Sequence, residues 1–187
     1  DQMDAWLEQA RGSMFEAGSK EEKQFAAIDL EWIARELELL KGRVTPDYPV
    51  VFCHNDLLAG NMMENEETGQ VHLVDFEYGG SNYRGFDIAN HFNEWAGGTE
   101  GSNTTAFADY SRFPSDAEML QFCKTYLAEM GLSTEEDLQQ LLREVKVFLQ
   151  INHFYWGLWA INMAATEGCA SFPYLNYSHN RIAEFRK

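Results

Sequence analysis

Apolar positions recur at helical spacing along most of the chain. Phe25, Ile28, Leu30, Trp32, Ile33, Leu37 and Leu40 follow Ser19-Lys20-Glu21-Glu22, an N-cap with acids in the first turn, and run to Gly42. This predicts one core helix. Residues 1 to 18 predict a short amphipathic helix ending near Gly12 and Gly18. Ser115-Asp116-Ala117-Glu118 caps a helix to about Met130, closed by Gly131. Ser133-Thr134-Glu135-Glu136 then caps a longer one with an apolar stripe of Leu138, Leu141, Leu142, Val145, Phe148, Leu149 and Ile151. Ile88 to Trp95 predicts another helix, for which Asp87 is the plain N-cap, and Ser178 to Lys187 reads as a closing helix.

Extended segments are few and short. Tyr48-Pro49-Val50-Val51-Phe52-Cys53 predicts a buried strand leading into His54. Met62-Met63-Glu64 and Val71-His72-Leu73-Val74 flank Asn65-Glu66-Glu67-Thr68-Gly69-Gln70, whose Asn and Gly suit a hairpin turn. Gly97 to Pro114 shows little periodicity and reads as a loop long enough to be suspected of function. The class is α+β, mostly α-helical, with a small β-hairpin.

Composition narrows the function classes. A formal charge of −16 over 187 residues argues against nucleic acid or an anionic membrane as partner, and is compatible with a small cationic substrate. Cys53, Cys123 and Cys169 are far apart and form no Cys-x-x-Cys pair, which fits a reduced cytoplasmic setting. The longest apolar stretch, around Phe154 to Ala165, is too short to span a bilayer, and neither end shows a signal peptide or a lipidation motif.

Candidate chemistry lies in His54-Asn55-Asp56-Leu57-Leu58-Ala59-Gly60-Asn61 and in Val74-Asp75-Phe76-Glu77-Tyr78. Asn61 opens the first strand of the hairpin and Asp75 closes the second. Antiparallel return of the chain brings carboxamide and carboxylate side by side. Phosphoryl transfer from a magnesium nucleotide asks for one carboxylate at the attacking hydroxyl and one or two oxygen ligands per Mg²⁺. Asp56 is the candidate base, Asn61 and Asp75 the ligands for Mg²⁺ and through it for ATP, and Glu77 an assistant to the metal or the loop. His54 reads as a residue that holds the loop by hydrogen bonds rather than one that shuttles protons.

His-x-Asp-x-x-x-x-Asn, then Val-Asp-Phe-Glu-Tyr, then Asn82 to Trp95 and His153-Phe154-Tyr155-Trp156-Gly157-Leu158-Trp159, together resemble the choline/ethanolamine kinase family, relatives of the protein kinases and aminoglycoside phosphotransferases. The resemblance spans nearly the whole chain. It implies a kinase-like fold, ATP and Mg²⁺ as cofactors, and an amino alcohol, ethanolamine or choline, as substrate. The phosphomonoester formed would be the first product of the CDP-alcohol route to phospholipids. It also implies that Asp87 fixes the catalytic loop from behind, and that Glu94, Trp156, Trp159 and Tyr177, with Phe172 a weaker candidate, receive the ammonium. Homodimers are frequent in such a family, and no residue here decides the matter.

Two positions depart from the pattern of choline kinases. Leu58 stands where these tend to have glutamine, and Ala96-Gly97-Gly98 stands where a tyrosine commonly follows Glu-Trp. Both departures resemble ethanolamine kinases. Before His54 there is neither a Gly-rich phosphate loop nor a Lys on a preceding strand. Residues 1–187 are therefore expected to form the C-terminal, catalytic and substrate-binding lobe, without a nucleotide lobe and with little activity alone. Two rivals from other classes are a catalytically silent binding or regulatory lobe and a metal-dependent hydrolase built on His54, Asp56, Asp75 and His91. Another alcohol substrate, such as an aminoglycoside or a thiosugar, is a milder variant that the Trp pair argues against.

Overall fold

A computed structural model describes residues 2–97 and 107–187. In chain order the elements are α1 (Gln2–Arg11), α2 (Lys20–Ala26), α3 (Leu30–Lys41), β1 (Val50–Cys53), β2 (Met62–Glu64), β3 (Val71–Leu73), β4 (Gly80–Tyr83), α4 (Arg84–Trp95), α5 (Asp116–Glu129), α6 (Glu135–Glu167) and α7 (Tyr174–Phe185). Short 3₁₀ turns occupy Ala59–Asn61 and Tyr110–Arg112. Much of the loop expected after Gly97 falls on residues 98–106, outside the described residues. The chain divides into two compact units. One comprises α1 to α3 and Gln150–Lys187; the other comprises Val44–Gly97 and Asp109–Leu149.

In the first unit, the long helix expected from Ser19 to Gly42 is two helices. Ser19 caps α2, and Asp29 caps α3 by accepting a hydrogen bond from Trp32 N at 2.8 Å. Asp is a poor interior helix residue because its short side chain competes for nearby backbone N–H groups, and here that competition restarts the helix. Ile33, Leu37 and Leu40 then fall on one buried stripe of α3. An aromatic core joins Trp32, Phe154 and Phe185, with Phe154 and Phe185 ring centroids 4.1 Å apart. Asn162, the polar interruption of the apolar run, donates to Trp6 O at 3.0 Å. No described helix is long and apolar enough to cross a membrane.

The second unit is organised around where α4 meets the first half of α6. Arg84 and Glu144 form a buried two-bond ion pair, with Nε and Nη2 donating at 2.8 and 2.9 Å. The neighbouring Gly85 leaves room for α6: a Cβ there would lie 2.7 Å from Phe148 Cδ2 and 3.2 Å from the Glu144 backbone carbon. Helix α5 opens with the expected capping box, Ser115 with Glu118, and ends before Gly131 at φ +73°. Strands β1 and β4 pair antiparallel, Val50 with Tyr83 through Cys53 with Gly80; β2 and β3 form the hairpin, Met62 with Leu73. Strand β1 is not the buried strand expected. Val50 and Phe52 are 59% and 68% exposed, because in a two-stranded sheet only the Cys53 end meets a core among the described residues.

Removing one member of a buried, hydrogen-bonded ion pair strands the other in low dielectric. Glu144→Ala should therefore cost about 3–5 kcal/mol in chemical denaturation. A loss no larger than that of an exposed pair would show that Arg84 has been rehydrated. His153 gives a pH signature. Burial, and secondarily the Arg181 guanidinium, push its pKa down from 6.5 to about 2. The unfolded chain therefore takes up a proton below pH 6.5 that the folded chain refuses, so this stability is intact above 6.5 and drains away as pH falls towards 2. Between pH 8 and pH 5 the loss is about 2 kcal/mol, and denaturation curves of His153→Gln should lack that component.

Candidate active site

Strand β1 delivers the chain to a loop whose backbone is held from behind. The Asp87 carboxylate accepts from His54 N and from Asn55 N, each at 2.8 Å, one oxygen to each. Asp87 is not the N-cap of its own helix, as the sequence reading expected. Tyr83 occupies that position with extended backbone, so α4 starts three residues before Asp87. Anchored by Arg84 and Gly85, the first turn of α4 presents Asp87 to the loop.

The loop is also tied to the arm that follows the hairpin. His54 Nε2 lies 2.8 Å from Val74 O; since a carbonyl only accepts, Nε2 carries the proton. The His54 ring packs tilted against Phe76, centroids 4.7 Å apart, and is buried. Val74 N donates to Asn61 O at 3.0 Å, setting Asn61 next to the residue that precedes Asp75. Asn61 Nδ2 donates to Asp56 O at 2.9 Å and to Asp56 Oδ2 at 3.2 Å.

Asp56 is half-buried. Burial pushes its pKa up first; the Asn61 hydrogen bond and His54 oppose the rise, while Asp75 and Glu77 add to it. Three carboxylates therefore share one local field, an arrangement that favours a proton or a cation. Asp75 adopts φ +63°, a left-handed conformation open to Asp at modest cost, and both Asp75 and Glu77 are exposed.

This donor set suits a hard divalent cation that takes most of its ligands elsewhere. With its amide nitrogen committed to Asp56, Asn61 has its oxygen left for an incoming ion, and Asp75 offers an exposed carboxylate. Oxygen ligands of this kind, few in number, are what Mg²⁺ uses alongside phosphates and water. Among the described residues no three His, Cys, Asp or Glu side chains converge to hold a metal by themselves. The hydrolase alternative needed such a set, and His91 in particular is already engaged. Trp95 Nε1 donates to His91 Nε2 at 3.2 Å, so the ring proton sits on Nδ1, which faces Leu57 O at 3.2 Å. Burial lowers the His91 pKa, which favours this neutral form.

Sequence reasoning gave no role to Asn55, Asn82 or His91 in supporting the loop. Asn55 sits at φ +66° and is buried. Its Nδ2 donates to Tyr78 O and its Oδ1 accepts from Asn82 Nδ2, both at 2.8 Å, while Asn82 Oδ1 accepts from Tyr83 N at 2.8 Å. An Asn where the turn demands a left-handed residue was the one available signal.

Glu94 lies two turns beyond Asp87 on α4 and is 9% exposed. The aromatic candidates belong to the other unit and do meet one another there. Trp156 and Trp159, three apart on α6, are edge-on at 5.3 Å; Trp159 lies 6.3 Å from Tyr177, and Phe172 5.8 Å from Tyr177. Tyr174, which the sequence reading did not single out, stands 5.5 Å from Trp159 and 5.0 Å from Phe172. Trp156 and Tyr177 are buried and Trp159 is half-buried. Arg181 already lies over the Tyr177 ring, 5.7 Å from its centroid.

A profile of the choline/ethanolamine kinases matches residues 1–186. A probable ethanolamine kinase of Arabidopsis thaliana is 39% identical, covering 97% of this chain and 47% of the relative. Probable choline kinase 3 of the same plant is 34% identical, covering 99% and 51%. Among solved structures, an ethanolamine kinase of Plasmodium vivax superposes with a TM-score of 0.77 at 27% identity, over all of this chain and 47% of that one. A choline kinase of Cryptosporidium parvum shares the fold, with a TM-score of 0.71 at 23% identity over 99% of this chain and 54% of that one. The chain spans about half the length of these curated relatives. With a match over nearly every residue and a kinase-like α+β fold to go with it, the chain belongs to the choline/ethanolamine kinase family.

Proposed function

We propose that the protein containing these residues transfers the γ-phosphoryl group of ATP to the hydroxyl of an amino alcohol, ethanolamine in preference to choline, releasing ADP and the phosphomonoester. The observation that carries this reading is the return of the β2–β3 hairpin onto the catalytic loop, which groups Asp56, Asn61 and the Asp75 arm through the bonds from Asn61 to Asp56 and from Val74 to Asn61. Relatives named as ethanolamine and choline kinases support it. The product would enter the CDP-alcohol route to phosphatidylethanolamine or phosphatidylcholine. The reduced cysteines fit a cytoplasmic setting, and the activity belongs to the protein together with a nucleotide-binding lobe.

Asp56 accepts the proton of the substrate hydroxyl as its oxygen bonds to phosphorus and the bond to the ADP oxygen breaks. Its part burial, with Asp75 and Glu77 nearby, gives the carboxylate more affinity for that proton than an ordinary surface acid has. The oxygens of Asn61 and Asp75, with Glu77 assisting, would hold Mg²⁺, which when bound would neutralise the phosphate charge. Asp87 and His54 hold the loop rigid, so that little ordering remains to be done when substrate arrives.

Glu94 and the indole and phenol rings of Trp156, Trp159 and Tyr177 receive the ammonium, each aromatic face contributing about 0.5–2 kcal/mol. Trp159 is the most accessible of the three rings, and Arg181 competes for Tyr177. A primary ammonium donates hydrogen bonds and needs acceptors such as Glu94, whereas a quaternary one rewards a closed aromatic cage. Leu58, and Ala96-Gly97-Gly98 where a tyrosine commonly follows Glu-Trp, depart from the pattern of choline kinases, which is the basis for preferring ethanolamine.

The deciding measurement is ADP release by the full-length natural protein with ethanolamine and with choline. Ethanolamine should give the higher kcat/KM; the reverse order would keep the reaction and overturn the argument from Leu58 and Ala96. Asp56→Asn should lower turnover by about 10²- to 10⁴-fold with the fold intact, and near-normal turnover would remove Asp56 from the chemistry. No substrate-dependent release with either alcohol would defeat the kinase reading. Trp159→Ala should raise KM for the amino alcohol by about tenfold while KM for ATP stays put. Unaltered amino-alcohol binding would take Trp159 out of the substrate site.

A further inference from the structure

Asn55 poses a question that the catalytic reading does not answer. A residue at φ +66° is most cheaply glycine, because a Cβ is disfavoured in the left-handed region. The chain places a buried asparagine there and uses both ends of its side chain. Nδ2 donates to Tyr78 O, three residues beyond Asp75, and Oδ1 takes a hydrogen bond from Asn82 Nδ2. Asn82 is itself fixed, since its Oδ1 accepts from Tyr83 N and its strand pairs with β1. The amide of Asn55 therefore crosses from the residue next to the candidate base to the turn that follows the candidate metal ligand. Asp87 grips only the backbone of the loop, and the His54 hydrogen bond goes to Val74, before Asp75, with only a ring contact to Phe76 beyond it. Among these three, Asn55 is the one that hydrogen-bonds to the far side of Asp75.

We propose that Asn55, with Asn82 behind it, is a positioning residue that fixes the separation of Asp56 from the Asp75–Glu77 turn. Neither side chain touches the reacting atoms. The inference rests on the phosphoryl-transfer reading for its catalytic consequence, and on hydrogen-bond geometry alone for its mechanical one. Supporting partners of metal and catalytic groups typically contribute about 10- to 100-fold in activity or metal affinity.

Asn55→Gly isolates the effect, since it keeps the left-handed backbone without strain and removes only the clamp. In the full-length protein it should lower kcat by about 10- to 100-fold and raise the Mg²⁺ concentration for half-maximal rate, with KM for the amino alcohol unchanged. Asn82→Ala should act in the same direction, and the double variant should be no worse than Asn55→Gly, because the two residues act as one unit. A wild-type kcat in Asn55→Gly, or additive losses in the double variant, would overturn the proposal while leaving the kinase reading standing. Deuterium exchange separates the two failures. Even if the wild-type protein phosphorylates neither alcohol, Asn55→Gly should raise exchange at residues 54–61 and 75–79 together, and unchanged exchange at either segment would sink the clamp.

Discussion

Two backbone N–H groups, those of His54 and Asn55, end on the single carboxylate of Asp87, and the second unit is arranged so that this carboxylate stays where it is. Charge-assisted hydrogen bonds of this kind are among the stronger ones a protein makes, and they act here on the residues immediately before Asp56. Holding Asp87 in turn depends on the placement of α4. The buried Arg84–Glu144 pair and the contact at Gly85 fasten the first turn of that helix to α6, so the arginine of a structural ion pair stands three residues before the carboxylate that holds the loop.

Around that anchor the loop is held from several directions by different chemistry. His54 crosses to Val74, Asn61 to Asp56, Asn55 to Tyr78 and His91 to Leu57. His54, Asn55, Leu57 and Asn61 each have a bond leading out of the loop, and the Asp56 carboxylate and the Asn61 side-chain oxygen are left to face a ligand. Burial of Asp56, with Asp75 and Glu77 adding to it, raises its proton affinity. Fixed dipoles and a tethered backbone allow that like-charge cluster to persist without the loop opening to water.

Much of this was legible before the structure because it is local. The hairpin is announced by Asn65 and Gly69 between two short apolar runs, and the capping box of α5 by Ser115 with Glu118, whereas the box of α6 is Thr134 with Asp137, one residue on from the Ser133–Glu136 cap that the sequence suggests. Such features need only neighbours in sequence. The misreadings came where a residue had two competing local uses. The apolar spacing carries a helix through Asp29 although its carboxylate is fit to start a new one, and Asp87 looks like a cap although its partners lie more than thirty residues away. The Asn55–Asn82 bridge and Tyr174 beside Trp159 are not legible because each is defined by a partner outside its own element. The exposure of Val50 and Phe52 could not be read from an apolar run, which looks alike in a covered and an uncovered strand.

Gly85 shows how far such dependence reaches. The residue carries no functional group and sits inside a helix, where an alanine would ordinarily be the better helix former. Yet any methyl there must displace either Phe148 or the backbone of α6, and the helix that would move carries Asp87 two residues later. The placement of the carboxylate that holds the His54–Asn55 backbone is therefore set in part by an atom that is missing. A methyl at this place would loosen that grip with the helices still formed.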